Sequence, residues 1–150
     1  IKTNPELVKV GDFSREYGER ATREILNLTG ENYPTAIFAT SNRLLMGTMS
    51  VLKKKAIKVP DDLSVIAMDD AEWLEEFSPS ITTVDVAIDQ MAALTVDLLI
   101  SRIKADDKFE SPRTYTLSTS LKERNSCKHI GQSCEGYHVS ERSDYWREEK

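Results

Sequence analysis

The chain has 150 residues, of which 39% are hydrophobic and 30% are charged, which suits one ordinary soluble domain or a piece of a larger one. Its net charge is −5, and its only basic cluster, Lys53 to Lys55 with Lys58, is too small for a nucleic-acid surface, which needs concentrated positive charge. No apolar stretch approaches the ~20 residues of a membrane helix, and no signal peptide is recognisable. Two cysteines do not make a disulfide scaffold, so we expect an intracellular, cytoplasmic setting without a membrane partner.

The first half of the chain alternates between short apolar runs and segments with helical periodicity. Three apolar runs are predicted strands, at residues 7–10, 36–39 and 63–68. Helices are predicted from Ser14 to residue 28 and from Ser41 or Asn42 to residue 56. Strands that alternate with helices predict a parallel sheet with right-handed crossovers. Because the second and third runs are almost entirely apolar, we expect both faces of that sheet to be covered.

Each of these predicted helices carries an apolar stripe that we expect to be buried. The stripe of the first helix comprises Tyr17, Ala21, Ile25 and Leu28. The stripe of the second helix comprises Leu45, Met49, Leu52 and Ala56.

After residue 70 the pattern becomes less regular. Residues 71–80 are an acidic and aromatic loop, and residues 81–84 are a short predicted strand. Apolar residues recur at helical spacing from Ile88 to about Lys104, which predicts a long amphipathic helix. The remaining predicted segments are a polar linker at 106–112, a strand at 114–121 with one face exposed to water, and a polar tail at 128–150.

Polar and aromatic side chains follow each of the first three predicted strands. In open parallel sheets, ligands bind at the edge where the carboxyl ends of the strands meet. An aromatic ring, a hydroxyl, an amide and carboxylates are groups that bind a sugar-like ligand, by stacking and by hydrogen bonds. We therefore predict a site for a small polar ligand that comprises Phe13, Ser41, Asn42, Asp69 and Asp70. The alternative is that the last four are only cap and turn residues.

Five stretches of the chain follow one another in an order and at a spacing that are characteristic of one family. They are VGDFS, YPTAIFATSNRLLMGTMSVLKK, VPDDLSVIAMDD, SPSITTV and LKERNSC. Over residues 8–127 the chain resembles the C-terminal part of the lac repressor (LacI/GalR) family of bacterial transcription regulators. The resemblance implies an α/β fold like that of periplasmic sugar-binding proteins, an open parallel sheet with flanking helices. Residues 1–127 would then hold the C-terminal lobe with part of the N-terminal lobe, and residues 85–108 would cross between the two.

The resemblance also implies roles for individual residues. Phe13 corresponds to the family's stacking aromatic residue, Ser41 and Asn42 to polar groups that reach the ligand, and Asp69 to the acid that binds ligand hydroxyls. Asp70 corresponds to the residue that follows that acid. The positions that depart from the family's sugar-binding pattern, and so leave the ligand open between a sugar and a related polar metabolite, are Ala67, Met68, Val86 and Ile88.

Self-association and partners follow from the same resemblance. It implies a homodimer whose two-fold interface uses Tyr17, Met46, Met49, Ser50 and Phe77; the alternative is that these residues belong to the core of one chain. Operator DNA would be bound only by an N-terminal headpiece that this chain lacks. The chain also lacks most of the lobe that forms the opposing wall of the cleft, so we expect it to bind a small-molecule effector weakly or not at all.

The sequence gives little support for a metal site, a cofactor or catalysis. Cys127, His129, Cys134 and His138 match no zinc-binding spacing and lie in a polar terminal segment, so we expect no metal there. No Gly-rich phosphate loop occurs, and no His, Cys or Lys is evidently placed to work with Asp69 as an acid–base pair. We therefore expect no enzyme. The alternative function is the periplasmic sugar-binding component of a transport system, which the VPDDLSVIAMDD and LKERNSC stretches resemble less.

Overall fold

A computed structural model describes residues 4–104 and 114–129 of the chain. Within these residues the helices are α1 (Arg15–Ile25), α2 (Asn42–Lys54) and α3 (Ile88–Lys104). The strands are β1 (Ala36–Ala39), β2 (Ser64–Met68), β3 (Thr82–Val86) and β4 (Thr119–Lys122). Three short 3₁₀ turns lie at Pro5–Leu7, Gly30–Asn32 and Glu72–Leu74. The predicted linker at 106–112 and residues 130–150 of the predicted tail lie outside the described residues.

The four strands form one sheet in the order β1-β2-β3-β4. β1, β2 and β3 are parallel, and β4 is antiparallel to β3. Ala39 pairs with Ala67 and Met68 pairs with Val84, so the three parallel strands end at the same edge of the sheet. The open α/β sheet with flanking helices is therefore confirmed.

The predicted strand at 7–10 is wrong. Pro5 begins a 3₁₀ turn, because its φ suits the first turn of a helix and the Asn4 side chain accepts a hydrogen bond from the Glu6 N–H. Residues 8–10 have no regular structure, and Val8 and Val10 are largely exposed. β1 is consequently the end strand of the sheet in the described part of the chain.

The prediction that both sheet faces are covered is also wrong within residues 4–104 and 114–129. Ile37 and Ala39 of β1 are buried, but Phe38 between them is 51% exposed. The same alternation continues on β2, where Val65 and Ala67 are buried and Ile66 is only half-buried. One face of the sheet is therefore packed and the other is partly open to solvent.

The predicted strand at 114–121 is shorter than expected. Only Thr119–Lys122 pairs with β3, and all four residues of this strand are exposed. The expected single wet face is therefore wrong, because β4 is the last strand of the sheet and no described element covers either of its faces.

The core lies between α2 and the packed face of the sheet. α2 contributes Leu45, Val51 and Leu52, and the other fully buried apolar side chains are Leu63, Val65, Ala67, Leu74 and Ile81. Leu45 and Leu52 confirm the predicted stripe of α2. Met49 is only half-buried, and Ala56 is exposed because the helix ends at Lys54 and Ala56 adopts a positive φ of 54°.

α1 packs along α2 through small residues. A Cβ atom on Gly18 would lie 2.7 Å from the Leu44 carbonyl oxygen, and one on Gly47 would lie 2.3 Å from the Arg15 carbonyl oxygen. The hydroxyls of Thr22 and Thr48 are buried and form a 3.0 Å hydrogen bond between the helices. The absence of Cβ atoms at the two glycines thus sets the distance between the helices.

The predicted stripe of α1 is displaced by one position for the same reason. Gly18, Thr22 and Leu26 are buried, whereas Tyr17, Ala21 and Ile25, each one residue earlier, are half-buried. Periodicity alone favoured the larger apolar residues, but a close helix contact needs small ones.

Gly47→Ala is expected to destabilise the fold. Alanine favours a helix by about 1 kcal/mol over glycine, but overpacking against backbone atoms costs roughly 1–3 kcal/mol. Urea unfolding should therefore show a lower free energy of unfolding, whereas the control Arg43→Ala, at an exposed position of the same helix, should stay within about 0.5 kcal/mol of the wild type. A Gly47→Ala variant more stable than the wild type would contradict the close helix contact.

Candidate functional site

Three chain segments that carry the predicted ligand-binding residues meet at one edge of the sheet. Residues 40–42 follow β1 and residues 69–70 follow β2, and these strands are parallel neighbours. α1 runs parallel to α2, since Gly18 approaches Leu44 and Thr22 contacts Thr48, four residues further along each helix. The N-terminus of α1, with Phe13 before it, therefore lies at the same end as the N-terminus of α2.

Phe13 lies in a short loop that is fixed at the start of α1. The Ser14 hydroxyl accepts a hydrogen bond from the Tyr17 N–H at 3.0 Å, which caps the helix, and Asp12 Oδ1 accepts one from the Ser14 N–H at 2.9 Å. Hydrogen bonds from Ser14 hold the pKa of Asp12 below its ordinary value. The Phe13 side chain is 65% exposed, so its ring is available for stacking.

Ser41 is the N-cap of α2, as expected if it is only a cap residue and not part of a ligand site. Its hydroxyl accepts a hydrogen bond from the Leu44 N–H at 3.3 Å. Asn42 is different, because its side-chain Oδ1 is buried and has no hydrogen-bond partner among the described residues. A buried acceptor left unsatisfied costs about 1–3 kcal/mol, so this atom is suited to accept a hydrogen bond from a bound molecule.

Asp69 has a strained backbone. It follows β2 with a φ of +68°, in the left-handed region that non-glycine residues seldom adopt, and its N–H donates to the Val84 carbonyl at 3.1 Å. Such conformations cluster at functional sites, where the surrounding structure holds them in place. The side chain is half-buried and has no side-chain hydrogen bond or ion pair within residues 4–104 and 114–129.

Asp70 belongs to a network of charged groups. Its Oδ1 accepts hydrogen bonds from Arg124 Nη1 at 2.7 Å and Thr83 Oγ1 at 2.8 Å, and its Oδ2 accepts them from Lys122 Nζ at 2.8 Å and Arg124 Nη2 at 3.2 Å. The hydrogen bonds from Arg124 first, then those from Lys122 and Thr83, hold the pKa of Asp70 far below its ordinary value, against the opposing effect of burial. Both oxygens are thus occupied, which favours a structural role for Asp70 over direct ligand contact.

Arg124 is the residue of this site that the sequence patterns did not identify. Its side chain is only 10% exposed, and besides Asp70 it donates to Glu75 Oε1 and to the Ile81 carbonyl, both at 2.8 Å. No short-range sequence pattern marks Arg124 as part of a site, because its main partner, Asp70, is 54 residues away along the chain. Only the presence of an arginine in the LKERNSC stretch and of acids after β2 could have suggested the pair.

Two surface cavities are lined by other residues than the five predicted for the ligand site. The first, of about 450 Å³, is formed by α3 and the segment at 115–117. The second, of about 970 Å³, is an apolar groove with a basic rim between α2 and the loop at 77–79, and we call it the α2 groove. Four of the five residues predicted for a dimer interface line the α2 groove, namely Met46, Met49, Ser50 and Phe77. The fifth, Tyr17, is half-buried elsewhere, with the Arg20 guanidinium 5.0 Å from the centre of its ring.

Half of the Cys and His cluster near the C-terminus falls outside the described residues, which include Cys127 and His129 but not Cys134 or His138. Cys127 is an exposed free thiol. Among residues 4–104 and 114–129, no three His, Cys, Asp or Glu side chains are grouped so that they could hold a metal ion. None of the helices in that part of the chain has the length and apolar character needed to cross a membrane.

Comparison with known proteins identifies relatives of this chain. The profile of the periplasmic binding protein-like domain family matches residues 1–127. The HTH-type transcriptional repressor PurR of Actinobacillus pleuropneumoniae serotype 3 is 31% identical over 132 residues, which are 88% of this chain and 39% of that protein. The chain therefore spans about two fifths of the relative's length.

Solved structures show the same relationship. The transcriptional regulator CelR in complex with cellobiose superposes with a TM-score of 0.72 at 30% identity, over 84% of this chain and 37% of that one. A LacI family regulator from Enterococcus faecalis with bound ribose gives a TM-score of 0.63 at 32% identity, over 77% of this chain and 41% of that one. The relatives are transcriptional regulators, as the sequence resemblance implied.

The family profile and the structural superpositions each extend over most of this chain. The chain belongs to the periplasmic binding protein-like domain family, in the form found in the effector domains of LacI-type regulators.

Proposed function

We propose that this chain is the effector-binding and self-association part of a LacI-type transcriptional regulator that senses a sugar or a related polar metabolite. In this proposal, the sheet edge bearing Phe13, Asn42 and Asp69 is one wall of the effector cleft. Operator DNA is bound by a headpiece outside this chain, the whole protein acts in the cytoplasm, and it catalyses no reaction. The names of the relatives favour this function over a periplasmic transport component, because they are regulators.

The observation that carries the proposal is the unsatisfied Asn42 Oδ1 at the edge where the parallel strands end. Asn42 supplies a buried acceptor, Asp69 a carboxylate on a strained backbone, and Phe13 an exposed ring. Sugars present hydroxyl donors and apolar faces, which these groups complement. Regulators with bound ribose and cellobiose are among the structural relatives, which supports this ligand class.

α3 supports the part of the proposal that concerns the second lobe. It has no buried residue, although it is 17 residues long and carries exposed apolar side chains such as Val96, Leu99 and Ile103. An apolar helix of this kind normally packs against another element. We infer that residues 85–108 cross to an N-terminal lobe, most of which lies outside this chain. In this proposal, the chain supplies only one wall of the cleft.

The α2 groove supports the proposed homodimer. Met46 is 45% exposed, and Met49 and Phe77 line the same groove. Methionine and aromatic side chains are enriched at protein interfaces, and a second copy would remove this apolar surface from water. Ser50 belongs to the same surface, whereas Tyr17 lies outside the groove and contributes at most to its periphery.

The first prediction concerns effector binding. Titration of the chain with D-ribose or cellobiose, followed by ¹H–¹⁵N NMR, should shift the signals of Asn42 and Asp69 with millimolar or weaker affinity, because one wall buries little ligand surface. Asp69→Asn should reduce these shifts. The matched control Asp97→Asn, on the exposed surface of α3, should leave them unchanged. Shifts confined to residues far from the sheet edge would contradict the proposed site, and micromolar binding would contradict the single wall.

The second prediction concerns self-association. Met46→Glu should weaken the dimer in sedimentation velocity, since it places a charge in the apolar α2 groove. Met91→Glu is the matched control, because Met91 on α3 is also an exposed methionine, at 44%. A wild-type chain that stays monomeric at high concentration, or equal effects of the two substitutions, would contradict a dimer through the α2 groove.

A further inference from the structure

We propose that Arg124 is a positioning residue for the effector site: it fixes the turn after β2, and thereby the Asp69 carboxylate, without itself touching the ligand. This inference rests on the proposed function, because it assigns Arg124 to the same site. The observation that supports it is that one guanidinium donates hydrogen bonds to four groups around that turn.

The guanidinium of Arg124 contacts three separate segments. Nη1 and Nη2 form a bidentate pair with the two Asp70 oxygens, at 2.7 and 3.2 Å, at the end of β2. Nη1 also donates to the Ile81 carbonyl at 2.8 Å and to Thr83 Oγ1 at 3.2 Å, at the start of β3. Nη2 donates to Glu75 in the intervening loop, at 2.8 Å. The planar fork of an arginine suits such an arrangement, and a lysine has no equivalent geometry.

The contacts of Arg124 hold Asp70, the residue that follows the strained Asp69. Asp69, with its φ of +68°, lies between Met68, which is paired with Val84, and Asp70, which is held by Arg124. A backbone conformation of this kind persists only when its surroundings hold it, and here both neighbours in the chain are fixed. Loss of the bidentate pair would free one side of the turn.

Arg124 is itself firmly placed. Its N–H donates to Thr82 Oγ1 at 3.0 Å, and two residues later the buried Ser126 hydroxyl accepts from the Thr82 N–H at 2.8 Å and donates to the Val65 carbonyl. The segment at 124–126 is thus anchored to both β2 and β3. The Arg124 side chain is 10% exposed, so its ion pair with Asp70 is little screened by water.

Lys122 has a different character. Its ammonium contacts Asp70 at 2.8 Å and Asp85 at 3.1 Å, but its side chain is 47% exposed. A flexible, solvated point charge restrains geometry less than a buried fork does. We therefore assign the positioning role to Arg124 and not to Lys122.

Amide hydrogen exchange of the ¹⁵N-labelled 150-residue chain tests the inference in Arg124→Lys, which keeps the charge and so favours folding. The Asp69 amide, which donates to Val84, should exchange roughly tenfold faster, as the loss of a charged hydrogen bond predicts. The Leu45 amide, which donates to the carbonyl of Ser41 at the N-cap of α2, should be unaffected. Glu76→Gln, at an exposed position of the same loop that does not contact Arg124, is the matched control and should leave Asp69 unchanged.

Two results of the exchange experiment would overturn the inference. An unchanged Asp69 amide in Arg124→Lys would show that the turn does not depend on the fork. Equal acceleration of the Asp69 and Leu45 amides would show that Arg124 stabilises the fold in general and positions nothing in particular.

A titration with D-ribose separates this inference from the proposed function. In the wild type, ribose should shift the Asn42 and Asp69 signals, and in Arg124→Lys these shifts should be several-fold weaker at equal ribose concentration. If ribose and cellobiose both leave the wild type unchanged, the proposed sugar site fails, while the exchange rates still decide whether Arg124 fixes the turn. If Arg124→Lys responds to ribose as the wild type does, the positioning of the effector site is refuted.

Discussion

The ion pair between Asp70 and Arg124 is the interaction on which the edge of the sheet depends most. It joins two parts of the chain that lie 54 residues apart, and it brings the end of β2, the following loop and the start of β3 to one point. The pKa of Asp70 is lowered chiefly by Arg124, so the stabilisation from this pair is present above the ordinary Asp pKa of 3.8 and is lost as acid protonates the carboxylate. At neutral pH the Asp70 carboxylate is therefore ionised and paired with Arg124, next to the turn that carries Asp69.

The remaining geometry of the edge follows from helix and strand direction. Parallel pairing of β1, β2 and β3 brings their carboxyl ends together, and the close contact at Gly18 and Gly47 aligns α1 with α2. Phe13 and Asn42 are thereby carried to the same end of the domain as Asp69. The edge gathers an exposed ring, an unsatisfied amide oxygen and a carboxylate, which is the basis of the proposed effector wall.

Local patterns in the sequence were sufficient to predict β1 and β2, which are short apolar runs, and α2 and α3, whose apolar residues recur at helical spacing. The start of α1 at Ser14 was also predictable, since a capping hydroxyl acts within three residues along the chain. The run at 7–10 was wrong, because β propensity alone does not supply a partner strand. The role of Arg124 could not be predicted, because long-range ion pairs leave no periodic signal.

The positions of the candidate site residues were more predictable than their individual roles. The segments at 40–42 and 69–70 were expected at one edge, because that placement follows from parallel topology. Phe13 was expected there as the end of a strand that does not form, and it lies at that end because α1 packs parallel to α2. The family resemblance assigned ligand binding to Asp69, but the residues themselves do not distinguish Asp69 from Asp70, since the two are adjacent in sequence and identical in chemistry. Only their contacts separate a carboxylate saturated by cations from one without a side-chain hydrogen bond in the described structure.

The most direct measurement of the central claim is a crystal structure, soaked with ribose or cellobiose, of this chain together with the N-terminal lobe that the proposal assigns to it. The account predicts a sugar against the Phe13 ring, with hydroxyls within hydrogen-bond distance of Asn42 Oδ1 and the Asp69 carboxylate, and with Asp70 still paired to Arg124. A sugar bound between the lobes that contacts neither Asn42 nor Asp69 would contradict the account.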